Sequence, residues 1–131
     1  MQNWRAEMKL NLLFVVNAVL AGVFGLGLIF FPSFVSDFYA VQLSPAGQLM
    51  GQMLGACLAG FAILSWLAKG LTDYAARRTL AVVFFLGYLI AFLVSLLAQL
   101  NGVLNALAWV NVAGYAVLSA AFGYFLLTRK N

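Results

Sequence analysis

The chain has 131 residues, enough for one domain, and 66% of them are hydrophobic whereas only 8% are charged. A soluble domain has roughly 45–50% apolar and about 25% charged residues, so this chain lacks the polar side chains that would cover its surface in water. The formal net charge is +4, but no lysine- and arginine-rich face is present to follow phosphates, which excludes a nucleic-acid partner. The composition predicts an all-α integral membrane protein whose first partner is the lipid bilayer.

Side chains that most active sites require are scarce. The chain has no histidine and a single cysteine, Cys57, which excludes imidazole ligation of haem or metals, an internal disulfide and CxxC redox chemistry. Its acidic residues, Glu7, Asp37 and Asp73, all lie outside the long apolar stretches, so proton-coupled exchange through an embedded carboxylate is also disfavoured. We expect no catalytic residue, no metal site and no cofactor, and therefore a protein that is not an enzyme. Cys57 is expected to be a small buried thiol.

The basic residues fall in three clusters, and the polar segments at 32–45 and 101–103 carry none. The clusters are Arg5 with Lys9, Lys69 with Arg77 and Arg78, and Arg129 with Lys130. A charge inside a bilayer is costly, and short loops rich in lysine and arginine stay on the cytoplasmic side. This distribution predicts four membrane spans with the N- and C-termini both in the cytoplasm.

Four apolar stretches are long enough to cross the bilayer, at residues 10–31, 46–68, 79–100 and 104–127. At ~1.5 Å per residue the first reaches about 33 Å, against a hydrocarbon core of roughly 30 Å. It exceeds the usual core of a signal peptide and no A-x-A cleavage site follows, so we expect it to be retained. The short turn at 101–103 makes the last two spans an antiparallel hairpin. Residues 1–131 are thus predicted to form one four-span transmembrane domain.

The longest polar segment, residues 32–45, carries the pattern of a short helix. Four of its side chains share one face at helical spacing: Phe34, Val35, Phe38 and Tyr39. This pattern predicts a short amphipathic helix between the first two spans, lying at the outer membrane surface. The alternative is an irregular loop packed over the bundle.

Each span carries a row of small or polar residues at four-residue spacing. The rows are Ala18 with Gly22 and Ala21 with Gly25, then Gly51, Gly55 and Ala59, then Gly87, Ala91, Ser95 and Gln99, and finally Asn111, Tyr115, Ser119 and Gly123. Helices associate in lipid mainly through close packing at small residues and interhelical hydrogen bonds. The rows predict a four-helix bundle packed mainly within the chain. Because the bundle is small, we also expect contact with another membrane protein or a homo-oligomer.

Several polar residues are predicted at the outer level of the spans, where they suggest a pocket. The six candidates are Gln48, Gln52, Gln99, Asn105, Asn111 and Tyr39. Such a pocket would hold a lipid headgroup, a quinone carbonyl or another ligand. The alternative is hydrogen bonding between helices, which contributes about 0.6 kcal/mol per contact on average.

A group of short motifs is spread over most of the chain. They are Phe31-Pro32, Tyr39, Leu43-Ser44 with Gly47, the glycines Gly51, Gly55 and Gly60, Trp66-Leu67-Ala68, and LLAQLNGVLNALAW at 96–109. In these motifs the chain resembles a family of small, uncharacterised four-helix inner-membrane proteins of bacteria, and more loosely the DoxX-like proteins. The resemblance implies the same fold and a bacterial inner-membrane location, and it implies no activity. Gln52 stands near a position where many relatives carry arginine, which weakens any anion-binding role there.

Three functions stay open at this point. The first is a non-enzymatic accessory, assembly or stabilising subunit that acts through helix–helix contacts. The second is a binder of a lipophilic ligand such as a quinone, a carotenoid or a lipid, for which the twelve phenylalanines are suitable. The third is a small transporter or channel. The small-residue rows and the short polar segments favour the first.

Overall fold

The structure is a computed structural model and describes residues 4–128. It contains five α-helices: α1 (Trp4–Phe30), α2 (Pro32–Phe38), α3 (Pro45–Ala68), α4 (Tyr74–Leu100) and α5 (Trp109–Thr128), the last preceded by a 3-10 turn at Ala106–Ala108. No strand occurs within this part of the chain. Four segments, α1, α3, α4 and Ala106–Thr128, are long and apolar enough to cross a membrane. The predicted all-α, four-helix membrane bundle is confirmed, and the chain is a multi-pass membrane protein.

Two of the long helices begin earlier than the apolar stretches. α1 starts at Trp4 rather than at residue 10, and α4 starts at Tyr74 rather than at residue 79. The carboxylate of Asp73 caps α4 by accepting hydrogen bonds from the backbone N–H groups of Ala75 and Ala76, at 3.4 and 3.0 Å. Hydropathy predicts which segment lies in lipid, whereas the capping residue determines where the helix begins. The polar first turns of α1 and α4 were therefore not part of the predicted spans.

The described basic residues all lie at one end of the bundle, which we call the basic end. It is formed by the start of α1, the end of α3, the start of α4 and the end of α5, and it carries Arg5, Lys9, Lys69, Arg77 and Arg78. The opposite end carries α2 and the turn before α5. Two further basic residues, Arg129 and Lys130, lie outside the described residues.

The short helix α2 follows α1 after one residue, as the sequence predicts. It ends with Ala40 in the left-handed region (φ 56°), where the N–H groups of Ala40 and Val41 donate to the carbonyl oxygens of Asp37 and Ser36. These two hydrogen bonds form a Schellman motif, which usually has glycine at the left-handed position. Of the α2 residues, Ser36 is buried. Phe34 and Phe38 are exposed on its surface, as expected of a helix that rests on lipid.

A direct backbone contact joins α1 to α3. A methyl group added at Gly55 would lie 2.6 Å from the carbonyl oxygen of Gly25, and one added at Gly25 would lie 2.8 Å from the carbonyl oxygen of Gly55. Both glycines are buried. The absence of side chains at these two positions therefore lets the two backbones touch, as in other membrane helix pairs with small residues at the interface.

The second helix pair, α4 and α5, packs around a phenylalanine. The ring of Phe85 occupies the space beside Gly123, where an added methyl group would lie 2.9 Å from a ring carbon. The hydroxyl of Ser119 donates to the carbonyl oxygen of Phe85 at 3.3 Å. Gly123 therefore makes room for a large side chain of α4 rather than for its backbone, and the Phe85 ring lies between the two helices.

A cluster of aromatic rings joins the two helix pairs. Phe14 of α1, Phe61 of α3, Phe84 of α4 and Phe122 of α5 meet near the basic end, with ring centroids 5.3–6.4 Å apart where they pair. Phe14 and Phe122 are fully buried. The α1–α3 pair is thus held by backbone contact, whereas its union with the α4–α5 pair depends on stacked and edge-on rings.

The prediction of a buried thiol at Cys57 is wrong. The side chain lies on the exposed surface of α3. Gly55, two residues earlier, faces α1 and is buried. Two residues correspond to about 200° around a helix, so Cys57 points away from the neighbour that Gly55 contacts.

The contact between α1 and α3 generates a stability prediction. Gly55→Ala places a methyl group against the Gly25 carbonyl and is expected to lower the free energy of unfolding by about 1–3 kcal/mol. Gly60→Ala adds the same group to the same helix where no atom lies within 4 Å, and it should cause no loss. Denaturation in mixed micelles followed by circular dichroism measures both. Equal losses for the two variants would contradict the assigned contact.

Candidate functional site

The most deeply buried polar groups form a chain of hydrogen bonds across three helices. The side-chain amide of Asn17 on α1 donates to the hydroxyl of Ser65 on α3 at 3.1 Å, and that hydroxyl donates to the carbonyl oxygen of Phe14 at 2.8 Å. The hydroxyl of Tyr88 on α4 donates to the amide oxygen of Asn17. Asn17 and Ser65 are both 0% exposed. Asn17 is therefore the polar link between the two helix pairs.

This link stabilises the arrangement because its groups have no water to bond instead. A buried polar group without a partner costs free energy, and in hydrocarbon only protein groups are at hand. Neither Tyr88 nor its contact with Asn17 was predicted from the sequence. The position of Tyr88 in the sequence could have indicated this contact. Tyrosine is usually found near membrane surfaces, whereas Tyr88 lies close to the middle of α4. A mid-span tyrosine calls for a hydrogen-bond acceptor on a neighbouring helix.

The structure brings four of the six predicted pocket residues together at the end opposite the basic end. The hydroxyl of Tyr39 donates to the amide oxygen of Asn111 at 2.9 Å. The amide of Asn105 donates to the carbonyl oxygen of Phe38 at 3.0 Å, and the amide of Gln99 donates to the carbonyl oxygen of Asn105 at 3.1 Å. These bonds hold the turn after α2 against the turn before α5. The ligand role of the four residues stays a prediction.

The other two predicted pocket residues lie elsewhere on α3. The amide of Gln52 donates to the carbonyl oxygen of Ile29 on α1 at 3.1 Å, so it ties α3 to the last turn of α1. Gln48 is half-buried one turn closer to the start of α3. Gln48 and Gln52 lie one turn apart near the start of α3, but their spacing in the sequence does not specify which neighbouring helix each side chain faces.

The predicted helix-packing residues divide into two groups. Gly22, Gly25, Gly55 and Ala59 lie in the contact between α1 and α3. Gly51 lies at its edge, where an added methyl group would be 4.0 Å from side-chain atoms of Leu28 and Pro32. On α4, by contrast, Gly87 is exposed and an added methyl group would meet no atom within 4 Å, and Ala91 is half-buried. The rows of the first two spans therefore pack within the chain, while the row of the third begins at an open position.

Arg77 is buried at the basic end, although it carries a charge. Its guanidinium donates to the carbonyl oxygen of Leu71 at 3.1 Å and to the side-chain oxygen of Asn11 at 2.8 Å. The guanidinium carbon also lies 5.8 Å from the centroid of the Phe14 ring. These bonds attach the α3–α4 turn to α1. Arg77, a residue from which the sequence predicts only membrane orientation, therefore also joins the two helix pairs.

A groove runs between α1 and α5 from the basic end toward the middle of the bundle. Its volume is about 560 Å³, within the range of roughly 300–1,000 Å³ that is usual for ligand sites. The α1 wall includes Arg5, Lys9 and Val16, and the α5 wall includes Ala121 and Tyr124. No pattern in the sequence predicts this groove, because it depends on the distance between α1 and α5. None of the six predicted pocket residues lines it.

The link through Asn17 leads to a second stability prediction. Tyr88→Phe removes the hydrogen bond to Asn17, whereas Ser65→Ala removes both the bond from Asn17 and the bond to the Phe14 carbonyl. Each lost bond is expected to lower the free energy of unfolding by roughly 0.6–1.7 kcal/mol. Because both substitutions remove a bond of Asn17, the double variant should lose less than the sum of the single losses. Tyr124→Phe, at an exposed tyrosine of α5, is the control. Strictly additive losses in a double-mutant cycle would contradict the shared link.

No known protein family, no curated protein sequence and no solved structure matches the chain. The resemblance to small four-helix bacterial inner-membrane proteins therefore stays a prediction from the motifs. Any functional conclusion depends on the geometry of the bundle itself.

Proposed function

We propose that this chain is a non-enzymatic membrane subunit that assembles with another membrane protein, or with itself, through contacts between helices. Its role would be accessory, either in assembly or in stabilisation of a larger complex. The observation that carries the proposal is the open glycine at the middle of α4, Gly87. It lies in a row of small residues on a membrane-spanning helix, and nothing within 4 Å fills the space above it.

Two further glycines have the same property. Gly60 on α3 and Gly114 on α5 are exposed, and no atom lies within 4 Å of an added methyl group at either position. Glycine weakens a helix when it makes no contact. Small residues at a helix surface also allow a second helix to approach closely in lipid, where such packing is a main source of association. Three glycines that make no close contact within the chain therefore favour packing against a helix of another chain.

The polar groups support the same conclusion from the inside of the bundle. Asn17 and Tyr39 are each hydrogen-bonded to another helix or turn of the chain. These contacts serve the internal structure and leave the outer surfaces of the helices mainly apolar. An apolar surface with open glycines is suited to packing against another helix rather than to carrying out a reaction.

We also propose that the protein lies in the bacterial inner membrane with both termini in the cytoplasm. The support is that Arg5, Lys9, Lys69 and Arg78 are gathered at one end of the bundle, together with the buried Arg77. Short segments rich in lysine and arginine next to a membrane span remain on the cytoplasmic side. The turns at residues 39–44 and 101–105 would then face outward.

Labelling of single cysteines tests this orientation. In a Cys57→Ser background, Gln42→Cys lies in the turn before α3 and Thr72→Cys lies in the turn before α4. A membrane-impermeant maleimide should label the first variant in intact cells and the second only after lysis, because the two turns lie on opposite sides of the membrane. The reverse pattern would place the basic end outside and would refute the orientation.

Association is tested at Gly87. After extraction in mild detergent, the wild-type protein should migrate either with another membrane protein or as a defined oligomer. Gly87→Leu fills the open position and should release the chain as a monomer without lowering its free energy of unfolding. Leu93→Phe, at an exposed position about 120° around the same helix, is the matched control and should stay associated. A wild-type chain that is already a monodisperse monomer would count against the proposal.

A further inference from the structure

The groove between α1 and α5 combines a charged mouth with an apolar interior. Arg5 and Lys9 stand at the mouth, and both side chains are exposed. None of the three acidic residues of the chain lines the groove. Leu13, Val16 and Ala121 line its inner part. A ligand that matches the groove therefore has a negative group at one end and a hydrocarbon chain at the other.

The length of the groove fits one leaflet of a bilayer. From Arg5 to Val16 the groove extends over twelve residues of α1, and the eleven steps between them correspond to about 17 Å along the helix axis. Half of the hydrocarbon core of a bilayer is roughly 15 Å thick. Because the predicted span begins at residue 10, the part of the groove from Leu10 to Val16 lies in hydrocarbon and reaches about 9 Å into it. The groove therefore lies within one leaflet and can contact the upper part of an acyl chain.

The neighbouring tryptophan indicates the level of the mouth. Trp4 lies on the exposed surface at the start of α1, with the guanidinium carbon of Arg5 5.4 Å from its ring centroid. At the same end, the amine of Lys69 lies 3.1 Å from the centroid of the Trp66 ring. Tryptophan is enriched at the level of lipid headgroups. Arg5 and Lys9 therefore stand where a phosphate of the leaflet lies.

The rim of the groove is open to the surrounding lipid. Leu12 and Tyr124, which line it from α1 and α5, are both more than half exposed. The floor is formed by Leu10 and Phe125, which belong to the buried core. A lipid can therefore enter sideways from the leaflet without any separation of the helices.

We propose that this groove binds one anionic phospholipid, with the phosphate between Arg5 and Lys9 and an acyl chain along Leu13, Val16 and Ala121. Each basic residue near an anionic leaflet contributes modestly to attraction, and the groove adds apolar contact that a free phosphate cannot make. The site would hold a lipid of the leaflet at the basic end in a fixed position against α1 and α5. This inference does not depend on the association proposed above.

A competition between two lipids tests the site. The purified protein is incubated in detergent with equal amounts of phosphatidylglycerol and phosphatidylethanolamine of the same acyl composition, and the lipid retained after washing is measured by native mass spectrometry. The wild-type chain should retain phosphatidylglycerol preferentially, with one molecule per chain. Arg5→Gln with Lys9→Gln should lower the preference on the order of ten- to thirty-fold.

Two controls separate the groove from general attraction to negative lipid. Lys69→Gln with Arg78→Gln removes the same charge from the same end but outside the groove, and it should leave the preference unchanged. Ala121→Trp keeps both cations and fills the interior, so it should lower the amount of retained phosphatidylglycerol. An excess of inorganic phosphate should displace none of it, because phosphate lacks the acyl chain.

Four results would overturn the proposal. They are equal retention of the two lipids by the wild-type chain, equal effects of the two double variants, displacement by inorganic phosphate, and a dimer that Ala121→Trp dissociates. The last would show that a second copy of the chain occupies the groove. The comparison of lipids on the unaltered protein decides the question even if a variant fails to fold.

Discussion

The backbone contact between Gly25 and Gly55 sets the distance and the register of α1 against α3. Hydrocarbon surrounds these helices as readily as another helix does, so apolar burial contributes little to holding them together, and close packing takes its place. With the two backbones touching, the hydroxyl of Ser65 can reach the Phe14 carbonyl and still accept from Asn17. Asn17 then presents its amide oxygen to α4. The position of the second helix pair thus follows from the first contact.

The two helix pairs are built on different principles. α1 and α3 are in backbone contact at two glycines, whereas α4 and α5 pack around the ring of Phe85. Aromatic rings then join the second pair to the first. Rings hold helices further apart than glycines do. The greater distance accounts for the groove between α1 and α5, whose lining within residues 4–128 contains no glycine that would let the two backbones touch. A single bundle therefore combines a tightly packed α1–α3 pair with a more open boundary between the two pairs, where the groove lies.

Sequence reasoning identified the helices well and their faces less well, for a physical reason. In water, polarity separates the inside of a protein from its surface, so the pattern of side chains shows which face is buried. In a membrane the interior and the lipid-facing surface are equally apolar, and polarity marks only depth. The four spans, α2 and the Gly51–Gly55 row followed from depth and spacing. The exposure of Cys57, the bond from Tyr88 to Asn17 and the groove depend on helix rotation, which hydropathy does not encode.

The link through Asn17 also bears on how the protein is made. Tyr88 follows α1, α2 and α3 in the chain, so these three helices are synthesised before the hydroxyl that bonds the Asn17 amide oxygen. The amide oxygen acquires the Tyr88 hydroxyl only when α4 is inserted beside it. This bond can therefore form only after α4 has been made, which links the order of synthesis to the joining of the two helix pairs.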